Sequence, residues 1–284
     1  MQRAIAGLDH LIIGVHDLEA ARGQWGRLGF NSTPRGRHVG WATANYCIMF
    51  ERDYLELLGI IDPNAFSNGL DQRLAADGEG LLGMALASPD PAATAAAWQA
   101  AGLTSAAFRP LTRLLESETP PIELDFANVM IDAVESAGIN VFACHHLTPE
   151  PMRRPAWLRH PNGAVGVAGV TVIADDVEPL ARLAEQLVGS AAVTRTDRIR
   201  TVQTGGVPIL LATPDDAGLL HPAFDLPASA TEPRLVVLEI AVADTTTTAR
   251  FLTKQQVPFV AEKSGTLLVQ PADATGVHLA FVQS

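Results

Sequence analysis

One pattern comes round four times in this chain and restricts its fold more than any other feature. An apolar, strand-like run gives way to an aspartate, then to helical periodicity, then to two or three further strand-like runs. The four openings are Leu11–Val15 leading to Asp17, Leu82–Ala87 to Asp90, Val170–Ile173 to Asp175 or Asp176, and Val236–Val242 to Asp244. They recur at intervals of roughly 70 to 85 residues, a spacing that fits one supersecondary unit per copy. Each aspartate suits a helix N-cap, because its short carboxylate can accept the first-turn amide hydrogens. Behind the caps, Leu18, Ala21, Trp25 and Leu28 share one helical face, as do Val177, Leu180, Leu183 and Leu187. Gly29, Gly102 and Gly189 stand where a left-handed stop is wanted, and in the fourth copy Pro258 ends the helix instead.

The strands expected after each helix are Trp41–Phe50 and Tyr54–Ile60, Ile122–Val134 and Asn140–Cys144, Arg198–Thr204 and Val207–Ala212, and Thr266–Gln270 and Val277–Val282. Gly205-Gly206 reads as a hairpin turn. Proline-rich stretches separate copies two from three and three from four. The chain therefore divides into residues 1–150, a linker over 149–163, and residues 164–284. A unit with one helix covers one sheet face, so paired units should combine their free faces into a concave surface suited to a small ligand.

Composition narrows the functions. A 48% hydrophobic content over 284 residues fills a sizeable core. A net charge of −11 disfavours nucleic acid, whose phosphates dominate its affinity. Apolar runs such as Val165–Ala174 stop at about ten residues, short of a membrane span. The opening residues have no secretory pattern, so a cytoplasmic location is expected. Cys47 and Cys144 lie in apolar runs without a Cys-x-x-Cys spacing and read as buried, reduced thiols.

Alternation along Asp9–Val15 turns Leu11, Ile13 and Val15 to the helix and His10 to the concave face with Ile12 and Gly14. Glu56 projects from Tyr54–Gly59 between leucines, where a carboxylate is costly unless paired, hydrogen-bonded or bound to a cation. An ion pair with Arg35, Arg37 or Arg52 would also satisfy it. Of the adjacent His145 and His146, only one can face the concavity. Two imidazoles and a carboxylate form a donor set for iron, manganese, zinc, cobalt or nickel. Arg37, His38, Asn45 and Tyr54 are candidates to line the pocket and hold an oxyanion or carbonyl. Glu123 and Asp125 read as a solvated strand face, and His16, His160 and His221 as surface residues.

The module order, Asp9-His10, the Gly36–Asn45 segment, Tyr54-Leu55-Glu56-Leu57-Leu58 and His146-Leu147-Thr148-Pro149-Glu150 resemble the glyoxalase-like proteins of the vicinal oxygen chelate superfamily. The resemblance is strong in copies one and two and survives only as module order in copies three and four. It implies an α+β fold of four βαβββ modules forming two paired cupped sheets, the glyoxalase/bleomycin resistance/dioxygenase-like fold. It further implies a divalent metal on the first and last strands of a module, with His10, Glu56 and His146 as ligands and His145 as the fallback. Gly83 or Met84 stands where several relatives carry a fourth ligand. The second half lacks the ring-cleaving dioxygenase set: Ala168 or Gly169, Val237 and Ala280 replace it, and His278 is isolated.

These residues lead to a metal-dependent enzyme acting on a small oxygen-bearing metabolite by lyase, isomerase, hydrolase or oxygenase chemistry, in which Glu56 can also serve as general base. The alternative is a non-catalytic protein that binds or sequesters a small molecule. Sheet edges that need covering make a homodimer an expectation as well.

Overall fold

In the computed structural model, which describes residues 4–116 and 120–284, every copy is one strand, one helix and three strands. The first holds β1 (Gly7–Val15), α1 (Leu18–Arg27), β2 (Gly36–His38), β3 (Thr43–Met49) and β4 (Tyr54–Ile60). After the short helix α2 (Leu70–Asp77), the second holds β5 (Gly80–Ala87), α3 (Pro91–Ala100), β6 (Ala107–Leu115), β7 (Ile122–Met130) and β8 (Val141–His146). The third has β9 (Ala164–Ile173), α4 (Glu178–Val188), β10 (Val193–Thr196), β11 (Ile199–Gln203) and β12 (Pro208–Ala212), followed by α5 (Pro214–Leu220). The fourth has β13 (Arg234–Val242), α6 (Thr245–Lys254), β14 (Val260–Ala261), β15 (Leu267–Val269) and β16 (His278–Gln283). The fold is thus α+β, built of four βαβββ modules. The sequence reading had no place for α2 and α5, which fill the connections between modules.

Local chemistry explains where the helices begin. Asp17 accepts from the amides of Glu19 and Ala20 at 3.0 Å each, and Asp90 and Asp244 cap α3 and α6 in the same way. The third cap departs from expectation. The N-cap position of α4 is Val177; Asp176 still accepts from the first-turn amide of Glu178 at 3.0 Å, whereas Asp175 accepts from the amide of Ala230 at 2.7 Å. At the far end of α1, Gly29 has φ +92°, and a Cβ there would lie 2.6 Å from Phe251 and 2.7 Å from Asn162. A glycine is needed both for the left-handed turn and for the approach of α6. The helix of the fourth copy, α6, ends before Pro258, with Gln256 at φ 55° making the left-handed turn.

The two pairs of modules differ in closure. In both, the first strands of the paired modules run antiparallel side by side, β1 with β5 and β9 with β13. In the first pair, β2 also hydrogen-bonds to β6, so the expected cup closes into a barrel of order β1-β4-β3-β2-β6-β7-β8-β5. In the second pair β10 and β14 do not meet, leaving an open eight-stranded sheet. The reason lies in length: β6 and β7 run for 9 residues each, against 2 for β14 and 3 for β15.

One core runs through both halves. Phe30 stacks on Phe281 with centroids 5.9 Å apart, and Trp98 donates its indole N–H to the carbonyl of Leu187 at 3.0 Å. Asp53 also joins the halves, accepting from the amide of Val167 at 3.0 Å. Burial raises the Asp53 carboxyl from an ordinary 3.8 to about 6, against the lowering effects of that bond and of Arg153. The folded chain therefore holds this proton more tightly than the unfolded chain, and stability falls as pH rises from about 4 to about 6. Asp53→Asn keeps the acceptor and removes the titration. It is expected to flatten that slope and to raise stability at pH 7 by about 2 kcal/mol. Urea midpoints from pH 4 to 7 check this, and parallel curves for the two proteins would defeat it.

Candidate functional site

The barrel interior gathers several polar groups, and an irregularity in β1 adds one that alternation alone would turn outward. Leu8 lies opposite Leu86 and His10 opposite Ala85, so Asp9 is an extra residue between them. Such a bulge lets two successive side chains share a face. Asp9 and His10 accordingly both reach inward, and both are buried.

His10 Nδ1 donates to Asp9 Oδ2 at 2.6 Å, and its other nitrogen, Nε2, lies 3.5 Å from Glu56 Oε2. On β8, Phe142, Cys144 and His146 face inward, whereas His145 turns away to bond the carbonyl of Ser88 at 2.8 Å. His146 Nε2 donates to Asp9, 3.1 Å from each oxygen. Burial would raise the Asp9 carboxyl, yet the hydrogen bonds from His10 and His146 more than offset it and hold the group well below the usual carboxylate range. His146 therefore meets Glu56 only through the chain His146–Asp9–His10–Glu56. Asp9, Cys144 and His146 have donor atoms within 4.8 Å of one another. Burial keeps the Cys144 thiol far above its ordinary value, so Cys144 retains its proton there.

Glu56 is held from the other side. Asn45 Nδ2 donates to its Oε1 at 2.5 Å, and His38 Nε2 stands 3.8 Å from the same oxygen. His38 Nδ1 is 2.7 Å from Thr43 Oγ1. Burial pushes His38 down to about 4; the Glu56 carboxylate opposes the shift and Arg113 adds to it. His38 is thus a neutral imidazole at pH 7, and neutral rings are the form that binds metals or accepts protons. Tyr54 stacks on His10 at 4.4 Å between ring centroids, and burial drives its phenol well above the ordinary value, so the hydroxyl stays protonated.

Of the expected pocket residues, His38, Asn45 and Tyr54 are buried inside the barrel. Arg37 is not with them. As the middle residue of β2 it points outward, pairing with Glu116 at 3.6 Å. Two other histidines read as surface residues are also placed differently. His160 is buried between the amide of Asn31 and the carbonyl of Met49, and His221 bonds Thr171 Oγ1 at 2.9 Å. Sequence reasoning passed over Arg113, which extends from β6 into the pocket and is only 2% exposed. The signal was the alternation Leu111, Arg113, Leu115, which puts an arginine on an apolar face.

Paired βαβββ modules enclosing inward-facing histidine and glutamate side chains define the class of this chain. Residues 8–188 match the glyoxalase-like domain family, and the chain belongs to that family. Among solved structures it is similar to a hypothetical protein from Staphylococcus aureus, with TM-score 0.66 and 11% identity, covering 98% of this chain and 99% of that one. A xylose isomerase-like TIM barrel/4-hydroxyphenylpyruvate dioxygenase fusion protein matches with TM-score 0.63 and 14% identity over 100% of this chain and 49% of that one. A mutant of 4-hydroxymandelate synthase from Streptomyces coelicolor matches with TM-score 0.60 and 13% identity over 98% and 92%. At these identities the likeness concerns the fold. No curated protein matches the sequence. Among the described residues, no helix is long and apolar enough to cross a membrane.

Proposed function

We propose that the first-half barrel houses a divalent-metal-dependent enzyme site for a small oxygen-bearing metabolite, with the ion between His10 Nε2 and the Glu56 carboxylate. The separation of 3.5 Å carries this reading. It is long for a hydrogen bond. It is close to the roughly 3.0 to 3.4 Å that separates two donors each about 2.1 Å from one ion. Asp9 supports the reading, since a carboxylate behind a ligating histidine fixes the ring and its tautomer. The ion, when bound, would supply Lewis-acid stabilisation of negative charge on a substrate oxygen.

The residues of the chain do the remainder. Asn45 fixes the Glu56 carboxylate, Asp9 fixes His10, and His146 fixes Asp9. In this arrangement His146 is a positioning residue; the sequence had suggested it as a ligand. His38 is a neutral proton acceptor beside Glu56, and apolar walls such as Ile12, Leu58 and Phe142 keep water from the reacting atoms. The dioxygenase named among the structural neighbours supports oxygen-directed chemistry on this fold.

Elemental analysis of protein purified without an affinity tag tests the reading. Roughly one iron, manganese, zinc, cobalt or nickel per chain is expected. Protein that holds none of these, even after incubation with each, would leave the pocket as a non-catalytic small-molecule binder.

A further inference from the structure

Arg113 is a fully buried cation that reaches into the pocket and whose charge the site described above does not use. Its Nη1 donates to Cys47 Sγ at 3.0 Å, and its guanidinium carbon lies 5.3 Å from the centre of the Phe126 ring. Its Nε is buried with no acceptor among the described residues. Cys47 does not neutralise it, because burial pushes that thiol up to about 11. No described carboxylate lies within 4.0 Å of Arg113, and Glu56, the acid that shares the pocket, is engaged by Asn45 and flanked by His10 and His38. The backbone makes room for the arginine: a Cβ on Gly36 would come within 2.7 Å of Arg113 Cδ.

An arginine cannot shed its proton, and a buried charge with no acid in contact costs several kcal/mol, which the Glu56 carboxylate offsets only through space. It stands beside the proposed ion site, since Arg113 lies opposite His38 across β2 and β6. The planar guanidinium matches a carboxylate in two parallel hydrogen bonds. The surrounding walls are apolar, with Ile12, Leu58, Leu111, Phe126 and Phe142.

We infer that the ligand of this pocket is a small carboxylic acid whose carboxylate pairs with Arg113 and whose apolar body lies against Ile12, Leu58 and Phe142. The inference rests on the first-half pocket being the ligand site, as proposed above, but it does not depend on the ion. Hexanoate, hexanamide and pentyl phosphate are suitable probes, tested by calorimetry and thermal shift on the full chain with metal content measured in every sample. Hexanoate is expected to bind and to raise Tm, while hexanamide binds at least about tenfold more weakly because a guanidinium distinguishes charge. Arg113→Gln should lose that preference without losing metal. Arg113→Met guards against a folding defect: removing an unpaired buried charge should raise the Tm of the ligand-free protein and abolish the response to hexanoate.

Equal binding of hexanoate and hexanamide, or unchanged hexanoate affinity in both variants, would overturn the inference. So would tighter binding of pentyl phosphate, which would make the site one for phosphate, or a fall in the ligand-free Tm of Arg113→Met, which would make Arg113 structural. Arginine-dependent hexanoate binding in protein that takes up no metal would uphold the inference while removing the metal reading.

Discussion

Glu56→Ala and His10→Ala are each expected to lower metal affinity by at least about 100-fold while leaving the metal-free chain folded, because each removes one of the two donors that face the same gap. His146→Ala is expected to behave differently. Its ring bonds Asp9 and does not face Glu56, so its loss should weaken metal binding only about 10- to 100-fold, the range typical of groups that orient a ligand. Titration of each variant with the metal found in the wild-type protein, with circular dichroism as the folding control, separates the two effects. An equal, complete loss in all three variants would restore His146 to the ion. Unchanged metal content in Glu56→Ala would remove the site altogether.

Trp25→Ala is expected to destabilise the protein by about 3 to 5 kcal/mol, the range for truncating a fully buried aromatic side chain. Trp25 is 1% exposed, packs on Phe30 at 5.2 Å between ring centres, and donates its indole N–H to Thr275 Oγ1 of the other half at 3.0 Å. Trp25→Phe restores most of the volume and should recover all but about 0.5 to 1.5 kcal/mol, the cost of the lost indole hydrogen bond to a Thr275 hydroxyl that still donates to Gln24 Oε1. Because the core is continuous, fluorescence and circular dichroism should report one urea transition. Two separated transitions in the wild type, or a loss below about 1 kcal/mol in Trp25→Ala, would mean that the halves are energetically independent.

The fourfold βαβββ order was legible because helical and strand periodicities depend on local side-chain spacing, and the caps at Asp17, Asp90 and Asp244 followed from local chemistry. His10 and Glu56 were legible for the same reason: each breaks an apolar alternation at a cost that needs explaining. What escaped depended on register. A bulge at Asp9 shifts the count by one residue, and no pattern in Leu8-Asp9-His10 announces it. The outward turn of Arg37 follows from β2 being three residues long with Gly36 and His38 buried, which fixes the side of the middle residue only once the strand is placed. Closure of the barrel depended on β2 meeting β6, residues more than seventy positions apart, and short-range spacing carries no information about that.

A ring of eight strands without a free edge leaves a guest only the ends of the barrel as entrances. At one end Met152, Trp157 and Leu158 pack with Leu124 and Phe126 as a stopper. Toward the other, Ser67, Asn68, Leu70 and Arg73, from the turn before α2 and from its first residues, border the pocket. A molecule that enters or leaves by that end passes the side chains of this segment. A substitution at Leu70 or Arg73 would therefore reshape the mouth of the pocket without touching His10, Glu56 or Arg113.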